Sequence, residues 1–301
     1  AFDGGITKGV CAVCQTLHPR HTLGSPAYAK RGKHMAQKDR NEASIMNSKR
    51  AHELFLRLEK RLEKCAPDMV AAANSYADEV VDASISDSEK CWSIIWDKPL
   101  FANTKVEYAE KTKALISHLM KNAWRNIGKP GGEYFVVQRG SDRKVSSFSI
   151  EGALANKIRS FNVAPHRMLA VQGAGKALAA RDARNGDRPY RDIVGAPIRE
   201  IAPTLRAEMG KFWGHVTILH LLTDFGLAVK TDLHLVRTLR VFGLAEDVAV
   251  RPVPTYDEAI TLVEGVQALC LSLYGDASPS RMRYADKILM EFSRQGLLSD
   301  I

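Results

Sequence analysis

Residues Arg206–Leu244 read RAEMGKFWGHVTILHLLTDFGLAVKTDLHLVRTLRVFGL, and their punctuation sets the local structure. An amphipathic run from Pro197 to Glu208 leads into a short segment bounded by Gly210 and Gly214, and an apolar helix is predicted over Gly214–Phe225. Gly226 follows that helix where a left-handed C-cap glycine belongs, and Gly243 repeats the signal after a second helix, Leu233–Phe242. Asp232 stands just before the second helix, the position of an N-cap. Two helices joined by a glycine-bounded hairpin present backbone N–H groups at the start of the second helix. The partial positive charge there favours a phosphate oxygen.

The rest of the chain is also patterned for helices. Ala51–Cys65 places Leu54, Phe55, Leu58 and Leu62 on one face, with Pro67 as its stop. Val70–Val81, Ser88–Trp96 and Val106–Trp124 continue the pattern, with Trp92, Trp96 and Trp124 as core candidates. Helical runs occur further on at Gly152–Phe161, Pro165–Arg181, Tyr256–Leu273 and Ser280–Phe292. The strand-like segments are Glu133–Arg139 and Lys144–Ile150, placed to pair as a hairpin across Gly140–Arg143. The fold class predicted is mainly α, a helical bundle with one small β-hairpin element. Three regions are expected: a basic arm over 1–47, a helical region over 48–150 ending in the β-hairpin, and a helical region over 151–301 that contains the quoted stretch.

Composition narrows the functional classes. At 301 residues, with 45% hydrophobic and 26% charged residues, the chain has the make-up of a globular protein. No run approaches the length of a membrane span and the first residues lack an apolar signal core, so a monomeric intracellular protein, cytoplasmic or nuclear, is expected. The formal charge of +9 suits a polyanionic partner, and residues 1–50 carry nine Lys/Arg against three Asp/Glu. Five cysteines, an odd number, are expected to be reduced thiols.

The quoted stretch resembles the helix-hairpin-helix DNA glycosylase superfamily. The resemblance is carried by Gly210–Gly214, the apolar helix Val216–Leu222, Phe225-Gly226, the D-x-H-x-x-R frame Asp232-Leu233-His234-Leu235-Val236-Arg237, and Phe242-Gly243-Leu244. It covers about forty residues closely, and the helical order from Ser149 onward. It implies double-stranded DNA as partner, with Gly210, Lys211, Trp213, Gly214 and His215 of the hairpin, and Lys230 in the following loop, at the DNA. It also implies Asp232 as the catalytic carboxylate, which would stabilise positive charge on the sugar as a flipped base departs and orient the attacking water. His234 and Arg237 would tie the helix to its neighbours. Three residues separate the hairpin glycines, a departure from the usual Gly-x-Gly. Members that cleave the strand place a lysine just past the second glycine, whereas here His215, Val216 and Thr217 occupy that place. The resemblance therefore implies a monofunctional enzyme that leaves an abasic site, needs no cofactor, and acts in repair or in defence against modified foreign DNA.

Other motifs stand beside this one. Cys11, Cys14, His18 and His21 are the right types for a tetrahedral structural zinc, in a spacing shorter than that of a usual finger; the alternative is a set of arm residues. Gln172-Gly173-Ala174-Gly175-Lys176 lacks the first glycine and the Ser/Thr of a phosphate loop, so its glycines are read as points of close helix approach. Lys176, Arg181, Arg184, Arg188 and Arg191 form a basic stretch read as a solvated face or a DNA contact. Trp213 has two readings, stacking on a base or filling the core. Two rivals to the enzyme stand: a non-catalytic hairpin DNA-binding protein, which needs no Asp232 frame, and a zinc-organised nucleic-acid module with a helical oligomerisation body.

Overall fold

The amphipathic run after residue 48 forms the first helix, α1 (49–65), and buries Leu54, Phe55, Leu58 and Leu62 as its spacing requires. A computed structural model describes residues 49–102, 104–128, 136–139, 145–149 and 165–299. The chain divides into two units, Ala1–Ser44 and Ile45–Ile301, and every described element belongs to the second. The basic arm, the turn at 140–143 and the helix expected at 152–161 lie outside the described residues. The described chain is mainly helical. Among the described residues no helix is long and apolar enough to cross a membrane.

Helix α2 (Pro67–Asp78) begins three residues earlier than the hydrophobic pattern suggests. Pro67 ends α1 and also opens α2, because its fixed φ and missing N–H suit the first helical position. Helix α3 (Ser88–Ile95) is capped by Asp87, whose carboxylate accepts the Lys90 N–H at 2.7 Å, and the short α4 (Lys98–Phe101) comes next. The long helix expected over 106–124 is interrupted: α5 spans Val106–Met120 and α6 spans Ala123–Ile127. The break is at Asn122, which takes a left-handed φ of 60°. Glu89 of α3 holds it there, accepting the Asn122 N–H and the Trp124 indole N–H, each at 3.1 Å. Asn tolerates that conformation better than most residues. Strands β1 (Val136–Arg139) and β2 (Val145–Ser149) pair antiparallel, with Val136 opposite Ser149 and an irregularity between Gln138 and Arg139.

Helix α7 (Pro165–Asn185) is a platform that Ile127 and Gly128, at the end of α6, and Met209 approach closely. A Cβ on Gly173 would lie 2.3 Å from the Met209 carbonyl oxygen, and one on Gly175 would lie 2.9 Å from Ile127. Both glycines thus allow close helix approach. A 3-10 turn (Arg191–Ile193) leads to α8 (Ile198–Met209), α9 (His215–Asp224), α10 (Leu233–Val241), α11 (Tyr256–Tyr274) and α12 (Pro279–Arg294). Thr255 and Glu258 form a capping box at the start of α11, each side chain bonded to the other residue's backbone N–H.

One member of the basic stretch departs from the solvated-face reading. Arg181 is fully buried, donates to Glu208 at 2.6 Å and to Asp192 at 2.7 Å, and lies 4.8 Å over the Tyr190 ring. Its partners on α8 and the 3-10 turn draw it inward, and it locks α7 to the last turn of α8. Far along the chain, Phe55 of α1 meets Phe292 of α12 edge-on at 5.6 Å, and Phe292 stacks on Phe242 at 6.2 Å. One buried apolar cluster accordingly includes residues from Ala51 to Leu297. Cys65, Cys91 and Cys270 are free thiols, and burial pushes the Cys91 and Cys270 thiols up to about 12.

Candidate nucleic-acid interface and catalytic aspartate

Helix α8 stops at Gly210, whose φ of 79° and ψ of −156° only glycine adopts readily. Four residues later α9 starts from Gly214 at a φ of −73°, a conformation open to any residue. No side chain caps α9 and its first turn has no carboxylate, so its N-terminal N–H groups keep their partial positive charge. Ser, Thr or Asp would be the better cap on stability grounds. A Cβ on Gly214 would meet nothing within 4 Å, and the same is true of Gly210. The fold itself makes no steric demand for glycine at 214, and the space beside it is open to a partner.

The side chains of the hairpin split in two directions. Lys211 and Phe212 are exposed, with the lysine Nζ 5.3 Å from the phenyl centroid. Trp213 is 1% exposed and its indole N–H donates to the Ala170 carbonyl of α7 at 2.8 Å. The base-stacking reading of Trp213 is corrected accordingly: both its apolar ring and its one donor are used inside the core. His215 is partly exposed at the head of α9, its Nε2 lying 3.1 Å from the Pro254 carbonyl oxygen, so Nε2 carries the proton when the two are bonded.

Two clefts flank the hairpin. One, of about 500 Å³, is lined by Ala202, Pro203, Arg206, Gly210, His215 and Tyr256. The other, of about 650 Å³, is lined by residues that include His166, Arg167, Phe212, Gly214, Val216 and Thr217. The Arg167 guanidinium donates to the Leu100 and Ala102 carbonyls at the end of α4, and its Nε is buried with no partner among the described residues. Burial, and then the Arg167 charge, hold the His166 imidazole below its usual range. Sequence reasoning did not single out Phe212, His166 or Arg167. Phe212 had a signal in its adjacency to Trp213, since neighbouring residues in so tight a turn face different ways; the other two had none.

The loop from α9 to α10 is anchored at each step. Phe225 is buried 5.2 Å from Tyr190, and Gly226 takes a φ of 66° with Pro279 so near that a Cβ would lie 2.5 Å from it. The Lys230 N–H donates at 2.9 Å to Asp286 of α12, and the Thr231 hydroxyl is buried without a partner. Asp232 then caps α10, one carboxylate oxygen accepting the His234 and Leu235 N–H groups at 2.9 and 3.1 Å. Its other oxygen lies 3.9 Å from the exposed Lys230 ammonium, and the side chain is 23% exposed. A partly exposed carboxylate with one oxygen held by backbone N–H groups can stabilise a nearby cation or accept a proton from water. His234 is tied to α12, its Nδ1 lying 3.1 Å from the Ser293 hydroxyl, whereas Arg237 is exposed. Asp232 lines neither hairpin cleft.

A largely buried polar cluster backs this loop, with Asp286 at its buried end. Asp286 also faces Arg283 at 3.4 Å, Arg283 faces Asp224 at 3.4 Å, and Asp224 pairs with Lys98 of α4. Desolvation pushes the Asp286 carboxyl up to about 6, against the pull of Arg283 and the Lys230 N–H. Burial, with Lys98, pushes His220 of α9 down to about 4. Cys11, Cys14, His18 and His21 lie outside the described residues; among the described residues no group of three or more His, Cys, Asp and Glu could hold a metal ion. No protein family, curated protein or solved structure matches the chain significantly.

Proposed function

We propose that the chain is a monofunctional DNA glycosylase of the helix-hairpin-helix kind, gripping duplex DNA through the α8–α9 hairpin and using Asp232 to hydrolyse the bond between a flipped base and its sugar. The observation that carries the reading is the state of Asp232, with one oxygen held by backbone N–H groups and the side chain partly exposed, one helix and one loop after a hairpin bounded by glycines with open space at both. In the reaction the C1′–N bond breaks and the base leaves with the bonding pair. Positive charge spreads over C1′ and the ring oxygen, where a nearby carboxylate lowers the barrier. Water adds to C1′ and passes its proton to Asp232 or to solvent, and the base takes up a proton in exchange. Lys211, Lys230 and the α9 N-terminus supply the phosphate contacts. The base belongs to the damaged or modified classes, in a repair or a defence setting.

One observation favours a second reading, a hairpin protein that binds DNA without chemistry: Asp232 has a complete structural role as an N-cap and lines neither cleft. Incubation with genomic DNAs of different modification status, with mass spectrometry of released bases, separates the two. Release of a base by the wild-type chain and its loss in Asp232→Asn supports the enzyme; absence of any released base, with DNA binding intact, supports the binding protein.

A further inference from the structure

Phe212 is the exposed half of the adjacent aromatic pair, and its backbone is out of the ordinary. Its φ of 78° is one of only two positive values at non-glycine positions among the described residues. The other, Asn122, is a residue type that tolerates such a φ and is held by Glu89, whereas a phenylalanine there is strained. In a core position burial of the ring would offset that strain. Phe212 is 39% exposed, so the free protein recovers only part of it. Glycine would suit this backbone better, so an exposed phenyl ring at this position calls for a reason beyond the fold.

What it could meet is indicated by its surroundings. The Lys211 ammonium lies 5.3 Å from the ring centroid, and the His166 imidazole lies 5.5 Å away at a tilt of 39°. Phe212 and His166 line the 650 Å³ cleft, with the Lys211 ammonium beside the phenyl ring. Positive charge backs that wall: among the described residues the Arg167 guanidinium bonds carbonyl oxygens and no carboxylate, and the α9 N-terminus has no acidic residue in its first turn. An aromatic face beside an ammonium, a guanidinium and an open helix N-terminus complements a phosphate-linked aromatic ring. We infer that Phe212, flanked by Lys211 and His166, is a stacking platform for a nucleobase of the strand whose phosphate sits at the start of α9. Stacking on the base buries the rest of the ring, so the strain at 212, offset in part in the free protein, is offset further in the complex.

This inference rests on the reading that the hairpin grips DNA, and the test separates the two. The full chain is titrated against a short fluorescein-labelled duplex carrying a single tetrahydrofuran abasic-site analogue, and affinity is read by anisotropy beside the thermal midpoint. Phe212→Gly removes the ring and relieves the backbone, so it is expected to keep or raise the midpoint while weakening binding roughly tenfold to a hundredfold. Phe212→Trp, which keeps a stacking face, is expected to stay within a few-fold of wild type. If wild type binds with strong salt dependence and Phe212→Gly binds equally well, the platform is overturned and the hairpin reading stands. If wild type shows no binding, the hairpin reading falls and the platform falls with it. A loss of affinity in Phe212→Gly that Phe212→Trp shares also overturns the platform, because a stacking surface would then have failed to rescue.

Discussion

The Asp286 carboxylate, sealed inside α12, accepts the Lys230 backbone N–H at 2.9 Å, two residues ahead of Asp232. The loop that delivers the candidate catalytic group is thus held by a buried acid. Folding raises that acid from 3.8 to about 6, while His220 beneath the same loop is lowered from 6.5 to about 4.

Those two shifts give opposite slopes of stability with pH. Asp286 binds its proton more tightly when folded, so between its unfolded and folded values the native state holds the extra proton and stability falls as pH rises. His220 binds its proton less tightly when folded, so its contribution is complete above its unfolded value and is lost as pH falls toward its folded value. At about 1.4 kcal/mol per pKa unit each effect is on the order of 3 kcal/mol, and the two offset one another in wild type. Asp286→Asn is expected to make the protein more sensitive to acid, and His220→Gln less so. Urea unfolding across a pH series measures both, and equal pH slopes in wild type and the two variants would refute the assignment.

Asp232→Asn is expected to retain the fold and DNA binding, because asparagine is nearly as good an N-cap as aspartate. Asp232→Ala is expected to lose about 1 kcal/mol of stability with the cap. If the carboxylate is catalytic, both variants lose roughly a hundredfold or more of base release. Comparing melting with released base for the two variants separates cap from catalyst, and full activity in Asp232→Asn would remove the aspartate from the chemistry.

Gly226 and Gly214 should behave in opposite ways. Gly226→Ala places a side chain at a φ of 66° against Pro279 and is expected to cost about 2 kcal/mol or more. Gly214→Ala has an ordinary φ and open space, so its stability is expected to fall by about 1 kcal/mol or less, alanine being the poorer N-cap. Its affinity for duplex DNA should fall nonetheless, because the added methyl occupies the space assigned to the backbone phosphate. Equal affinity for Gly214→Ala and wild type would show that no partner approaches there.

The fold was legible where local chemistry decides it. Glycines after α9 and α10, Thr255 before α11, and the two small residues in α7 announced their roles, because caps and close approaches depend on residue type at one or two positions. Val106–Trp124 misled, since the glutamate that breaks the helix comes from α3. Arg181 misled for the same reason: its partners Asp192 and Glu208 stand 11 and 27 residues further on and turn an apparently solvated cation into a buried strut. Trp213 stayed ambiguous because a hairpin of this length has no periodicity to say which aromatic points inward. The Asp232 frame was visible as a local pattern, whereas its support by Asp286 joins the loop at Lys230 to a residue 56 further along the chain.

Removing the Arg181 strut offers a check on that contrast. Arg181→Ala should cost about 2 kcal/mol, from lost packing on Tyr190 and the cavity left in the core, with the ion pairs to the partly exposed Glu208 and Asp192 adding little and the Pro189 carbonyl still bonded to Asn185. A melting temperature equal to wild type would show that the pairs and the stack contribute nothing net.

Both ends of the hairpin are fastened to the same helix, the near end where Met209 meets Gly173 and the far end through the Trp213 indole on Ala170. The loop between them has therefore lost most of its freedom before any partner arrives. Ordering entropy is borne by folding and not by association, so the approach of a polyanion to the hairpin should be a single bimolecular step. In rapid mixing, the observed rate should rise linearly with DNA concentration with no plateau, and its dependence on ionic strength should reside in the on-rate.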